Sequence, residues 1–147
     1  MNNLQNVKVV NVTPPAAIKD NASFATLTID TFGFNKVAIY FALGATDIAM
    51  TALKVQESDD SGMSGAADIT GAVYGASGYA ALPTADDDNK VFAFFIDLKG
   101  RKRYLDVVAT AGDGSTGTFG ACTAHLYNGN VTTDDATERG LAANLIV

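Results

Sequence analysis

Residues 36–43 read KVAIYFAL, and residues 90–98 read KVFAFFIDL. In the first stretch Val37, Ile39, Phe41 and Leu43 share one side; in the second Phe92, Phe94, Ile96 and Leu98 do. A period of two is the spacing of a pleated strand, whereas a helix repeats its apolar residues three and four apart. Both stretches are also rich in β-branched and aromatic residues, which suit a half-buried pleated surface. They predict β-strands with one face in a core.

The same alternation continues outward. Ala25, Leu27 and Ile29 alternate with Phe24, Thr26, Thr28 and Asp30; Leu53 and Val55 alternate with Lys54 and Gln56; Leu105 and Val107 alternate with Tyr104 and Asp106. Breakers separate the runs: Pro14-Pro15, Gly33, Asp59-Asp60-Ser61-Gly62, Gly75 to Gly78, Asp86 to Asn89, Gly100 and Gly112 to Gly117. Eight or nine short strands result. One wet face per strand fits antiparallel pairing better than a buried parallel sheet. The expected core is Leu27, Ile29, Val37, Ile39, Phe41, Leu53, Val55, Phe92, Phe94, Ile96, Leu105, Val107 and Leu126. Ser61 to Pro83, rich in Gly and Ala, reads as a long loop with one short strand near Ala72–Tyr74.

The length of 147 residues suits one domain, 1–147, with terminal arms at 1–15 and 132–147. Thr132 to Asp135 fits a weak capping box, with a helical turn through Glu138. Leu141, Leu145, Ile146 and Val147 end the chain with an apolar tail, expected to join the sheet or to lie on a neighbouring subunit. The opening MNNLQNVKVV reads as no signal peptide, and no apolar run reaches the roughly 20 residues of a membrane span. The sequons at Asn11, Asn21 and Asn130 are then chance matches.

Sixteen acidic and ten basic residues give a formal charge of −6, which disfavours nucleic acid and anionic membrane as partners. The one cysteine, Cys122, excludes an internal disulfide, and no Cys/His spacing suits a metal. His125 is the one histidine and lies on the opposite side of its strand from Cys122, which reads as a small core residue. The Asp59-Asp60 and Asp86-Asp87-Asp88-Asn89 runs lack EF-hand spacing and read as solvated turns. No arrangement reads as an active site, so no catalysis, cofactor or metal is expected.

One segment poses a sharper question. Gly112-Asp-Gly114-Ser-Thr-Gly117 satisfies G-x-G-x-x-G, and Arg101-Lys102-Arg103 lies just upstream. A dinucleotide fingerprint needs a helix after the glycines, to hold the pyrophosphate at its N-terminus. Here residues 118–127 alternate with period two, so a strand follows. The glycines are expected in a ligand-free hairpin loop with at least one positive φ. The basic triplet is expected either at a solvated strand end, paired with a local carboxylate such as Asp97 or Asp106, or in contact with carboxylates on a partner.

Three segments, ATDIAMTALKVQESDDSG (45–62), DLKGRKRYLDVVATAGDGSTGTFG (97–120) and ERGLAANLIV (138–147), resemble small decoration, or cement, proteins of tailed-bacteriophage heads. The resemblance runs from about Val12 to the end and is weakest over Met63 to Pro83. It implies a jelly-roll-like β-sandwich, a homodimer or homotrimer bound to the major capsid protein on the outer capsid surface, and a stabilising role. On that reading Arg101, Lys102, Arg103, Leu141, Leu145, Ile146 and Val147 are candidate partner contacts. A carbohydrate-binding adhesion module is the alternative, with Tyr74, Tyr79 and Tyr127 as candidate sugar platforms. A small hydrolase is a third class, needing a carboxylate pair at fixed separation.

Overall fold

The computed structural model describes residues 6–13, 18–130, 133 and 135–145. Within them lie nine strands: β1 (Lys8–Thr13), β2 (Ile18–Lys19), β3 (Ile29–Asp30), β4 (Lys36–Leu43), β5 (Ala52–Ser58), β6 (Ala67–Val73), β7 (Val91–Asp97), β8 (Tyr104–Thr110) and β9 (Thr118–Tyr127). They form two antiparallel sheets. One has the order β1-β9-β4-β7, with β2 continuing along β9; the other has the order β3-β8-β5-β6. The protein is thus an all-β sandwich, as the alternation predicts. Among the described residues the one helical piece inside the fold is a 3-10 turn at Ala85–Asp87, closed by Thr84 and Asp87.

Each inward face follows from the period-two pattern. Val37, Ile39 and Phe41 of β4, Leu53 and Val55 of β5, Leu105 of β8 and Leu126 of β9 are all fully buried. Each such side chain contributes about 1.5–3 kcal/mol by leaving water. They interlock across the sheets in one cluster, with Phe24 meeting Phe41 edge-on at 5.8 Å.

Strands adjacent in sequence rarely pair. β5 and β6 form a hairpin; the other connections from β2 onward cross between the sheets. The loop from Gly112 to Gly117 is one of these crossings. It leaves β8 in one sheet and enters β9 in the other, so it is an arch and not the expected hairpin. Local alternation predicts strands but not their partners, and this is the physical source of the error.

Leu27 is a second correction. It is 60% exposed, and Phe24 takes the core position. Residues 23–30 run beside β8, bonding at Ser23, Phe24 and then Ile29. In between, the chain lifts off: the Leu27 N–H donates to the Val12 carbonyl, and the Thr13 hydroxyl donates to the Ala25 carbonyl. The detour seals the seam between edge strands β1 and β3 and shifts the alternation out of phase. Phe92 is half-buried, packing against the core from the rim.

Two regions hold more strand than expected. Ser61 to Pro83 contains β6, seven residues long, whose end at Ala72–Val73 is the expected short strand. Its alternation is hidden by a bulge: Lys54 faces Val73, while Gln56 already faces Asp68. The residues between include Gly71 at φ 91°. At the N-terminus the expected arm supplies β1, an edge strand of the larger sheet; Met1 to Gln5, Pro14 and Pro15 lie outside the described residues. Near the C-terminus, the carboxylate of Asp135 accepts the Glu138 N–H, and the Arg139 carbonyl accepts the Val9 N–H at 2.7 Å. That stretch therefore covers the outer edge of its own β1. Thr132 and Asp134 of the expected capping box lie outside the described residues.

Candidate functional site

The glycine loop does bind an anion, and the anion is its own. The Asp47 carboxylate accepts the backbone N–H groups of Ser115 and Thr116, the latter at 2.8 Å. The Asp20 carboxylate accepts the Gly114 N–H at 2.9 Å. Successive N–H groups turned to one side make an anion-binding concavity. Here Asp47 fills it, and the Thr116 and Ser115 amides hold its pKa below the usual carboxylate range. A side chain at Gly114 would collide with the Asp47 carboxylate, so this glycine serves close approach. Gly117, at φ 79°, meets the expected positive φ.

The basic triplet is also paired within the chain. Arg103 makes a two-pronged pair with Asp30, both contacts at 2.8 Å. Its guanidinium also lies over the Phe32 ring at 4.8 Å from the centroid. Arg101 meets Glu57 at 3.3 Å, and Lys102 meets Asp59 at 3.6 Å. The expected local partners are engaged elsewhere: Asp97 with Lys36 at 3.9 Å, and Asp106 with the Thr26 hydroxyl at 2.7 Å. The reason is position. The triplet occupies the turn before β8 and reaches sideways to β3 and to the end of β5, whereas Asp106 sits inside the strand.

The Asp-rich turns are similarly self-contained. Asp88 accepts the Thr46 N–H, Asp87 pairs with Lys90 at 2.9 Å, and Asp60 accepts the Gly62 N–H. Among the described residues no three His, Cys, Asp or Glu side chains converge for a metal. Cys122 is buried, and desolvation pushes its thiol up to about 12. His125 lies on the outer face, as the alternation requires, with Tyr40 edge-on at 5.3 Å; partial burial lowers its pKa.

Two surface features remain unabsorbed. The first is a cavity of about 270 Å3 between the open edges of β6 and β7. Tyr74, Tyr79, Phe94 and Phe95 contribute its aromatic lining, and the Tyr74 hydroxyl donates to the Ala93 carbonyl at 2.9 Å. The sequence thus named two residues here, Tyr74 and Tyr79; Tyr127 pairs across from Lys36 at the far end of β9.

The second is a contrast between the outer faces. The outer face of the β3-β8-β5-β6 sheet carries Lys54, Gln56 and Asp68, joined by bonds of 2.7–2.9 Å, together with Asp106. The outer face of the other sheet presents Tyr40 and Ala42 of β4, Val91 and Phe95 of β7, and Phe119, Ala121 and Thr123 of β9. Its acidic and basic groups in β4 and β7, Lys36 and Asp97, sit at one end. The alternation puts Phe95 and Phe119 on the sides of their strands away from the expected core, but it does not say that β7 and β9 flank β4 in one sheet.

Leu141 is half-buried and Leu145 is 95% exposed; Ile146 and Val147 lie outside the described residues. No protein-family model and no curated protein matches the chain.

Proposed function

We propose that this protein is a capsid decoration protein of a tailed bacteriophage, bound to the major capsid protein on the outside of the head. The observation that carries this reading is the strand order. β1-β9-β4-β7 facing β3-β8-β5-β6, with one hairpin and otherwise crossing connections, supports reading the sandwich as a jelly roll in which β2 prolongs β1. Jelly rolls build viral capsid and lectin domains. Fold alone does not assign function; the three segments resembling decoration proteins select the capsid role. A rigid sandwich that binds the assembled shell, and not its free subunits, stabilises the shell by mass action. Several copies per head add effective concentration.

The triplet plays a smaller part in this reading than the sequence suggests. Each cation already has a carboxylate, so a shell contact there would exchange one ion pair for another. The neutral outer face and the exposed Leu145 are the stronger docking elements.

The test is reassembly. Purified protein added to heads that lack it should bind saturably and raise the temperature at which they release DNA. Heads that neither bind the protein nor gain heat resistance would refute the proposal.

The adhesion reading is favoured by one observation, the aromatic cavity at the β6–β7 edge. Saturable glycan binding that is lost in Tyr79→Ala would support it over the capsid role.

A further inference from the structure

We propose that the open edge of β7 is a peptide-binding site, where an extended, uncharged segment of a partner protein adds as a strand and sets an apolar side chain in the cavity beside Tyr74.

A sheet edge offers unpaired N–H and C=O groups, and folded proteins blunt their edges with short strands, bulges, charges or a covering segment. Among the described residues the other edges are blunted in these ways. On β1 the Arg139 carbonyl accepts the Val9 N–H, and the Val12 carbonyl accepts the Leu27 N–H. β3 is two residues long, and β6 is bulged around Gly71 and carries Asp68. β7 differs. It pairs with β4 without a bulge from Asp97 to Val91, and residues 91–96, VFAFFI, hold neither a charge nor a proline.

The register shows which groups are free. Hydrogen-bonded pairs alternate along an antiparallel ladder. The Leu43 N–H donates to the Lys90 carbonyl and the Leu98 N–H to the Asn35 carbonyl, so Phe92, Phe94 and Ile96 turn their main-chain groups to β4. Val91, Ala93, Phe95 and Asp97 turn theirs outward. One outward group is already taken, since the Tyr74 hydroxyl donates to the Ala93 carbonyl at 2.9 Å. The Phe95 N–H and carbonyl, next along the edge, have no hydrogen-bond partner among the described residues.

The cavity selects the occupant. Main-chain bonding along an edge gives affinity to a strand, and pockets for alternate side chains give specificity. In a strand added opposite Phe95, the two flanking side chains point inward, toward the cavity lined by Tyr74, Phe94 and Ile96. An apolar or aromatic side chain there replaces water against the rings. A second copy of the chain fits less well. The turn closed by the Gly75 N–H and the Ala80 carbonyl sets Tyr79 beside the edge, so a folded sheet meets that turn before it meets β7. A single extended chain lies between Tyr79 and Phe95.

This inference goes beyond the capsid reading and does not rest on it. The test is NMR of the isotope-labelled full chain. In the free protein the Phe95 amide should exchange with solvent faster than those of Phe92, Phe94 and Ile96. Capped peptides that alternate Thr with Val, Leu, Phe or Tyr serve as probes. At least one should bind saturably, shift the Ala93, Phe95 and Tyr79 amides and slow exchange at Phe95. N-methylation of that peptide keeps its side chains, removes main-chain donors and should weaken binding about tenfold or more. Phe95→Pro, which deletes the outward donor and spares the β4 ladder, should do the same, whereas Phe95→Ala should retain most of the binding. A protected Phe95 amide in the free protein would overturn the proposal, as would peptides that all fail to bind or that bind equally well when N-methylated. Phe95 protection that grows with protein concentration alone would overturn it in favour of a second copy. Shifts at Tyr79 produced by glycans and by no peptide would overturn it in favour of the adhesion reading. Peptide binding by a protein that never binds heads would sink the capsid reading and leave this site standing.

Discussion

The Asp47 carboxylate accepts the N–H of Thr116 at 2.8 Å, joining residues 69 apart in sequence. With the Ser115 amide, this bond ties the β4–β5 connection to the β8–β9 arch and closes one end of the sandwich. A loop with the letters of a phosphate cradle has thus been given an anion by its own chain.

The bond predicts a pH effect of definite sign. The Asp47 pKa is depressed in the folded state, so its contribution is full above the ordinary carboxylate value of about 4 and fades as pH falls below it. Amide exchange at Ser115 and Thr116 should accelerate relative to neighbouring amides in that acid range, after correction for intrinsic rates. Asp47→Ala should give the same loss of protection at neutral pH. Unchanged protection in Asp47→Ala would mean that the carboxylate does not hold the loop.

Core and rim differ sharply in the predicted cost of substitution. Phe41→Ala removes a fully buried ring and should cost about 3–5 kcal/mol in urea unfolding. Leu27→Ser, at a position the alternation assigns to the core, should change stability by no more than about 0.5 kcal/mol. A large loss at Leu27 would contradict the seam geometry at Val12 and Ala25.

The basic triplet should rank by geometry. Arg103→Ser removes a two-pronged pair and a ring contact, Arg101→Ser a single pair, and Lys102→Ser a long one. Urea midpoints should fall in that order, and the differences should shrink as salt rises. Equal midpoints for all three variants would show that the pairs do not stabilise the fold.

Cys122 is 1% exposed, and burial raises its thiol to about 12. The thiolate is the reactive form. The native protein should be inert to a thiol reagent at pH 8, and the guanidinium-unfolded chain should react fully. Rapid labelling of the native state would mean that β9 opens readily.

Much of the fold is legible in alternation. The inward faces of β4, β5, β8 and β9 can be read residue by residue from Val37 to Leu126, because a strand with one wet face writes its burial into its sequence. What the alternation lacks is any record of long-range pairing. That β8 feeds an arch, or that Arg103 finds Asp30 some 73 residues away, depends on how the sheets stack. Leu27 was misplaced, and β6 was read only at its end near Ala72, for a different reason, since a detour and a bulge each shift a period-two pattern out of phase. Of the candidate site, the sequence singled out the glycine loop and the triplet correctly as unusual. It allowed for pairing of the triplet within the chain but named Asp97 and Asp106 as examples where the partners are Glu57, Asp59 and Asp30, and it had no means of seeing that Phe95, Phe119 and Ile18 share one outer face.

The central claim is the place of this sandwich on a virion. Cryo-electron microscopy of phage particles carrying it tests that most directly. The account predicts density for a two-sheet β-sandwich outside the major capsid shell, at repeated positions, with shell protein beneath it. Particles whose shell bears no such density, or whose sandwich density sits only on the tail, would contradict it.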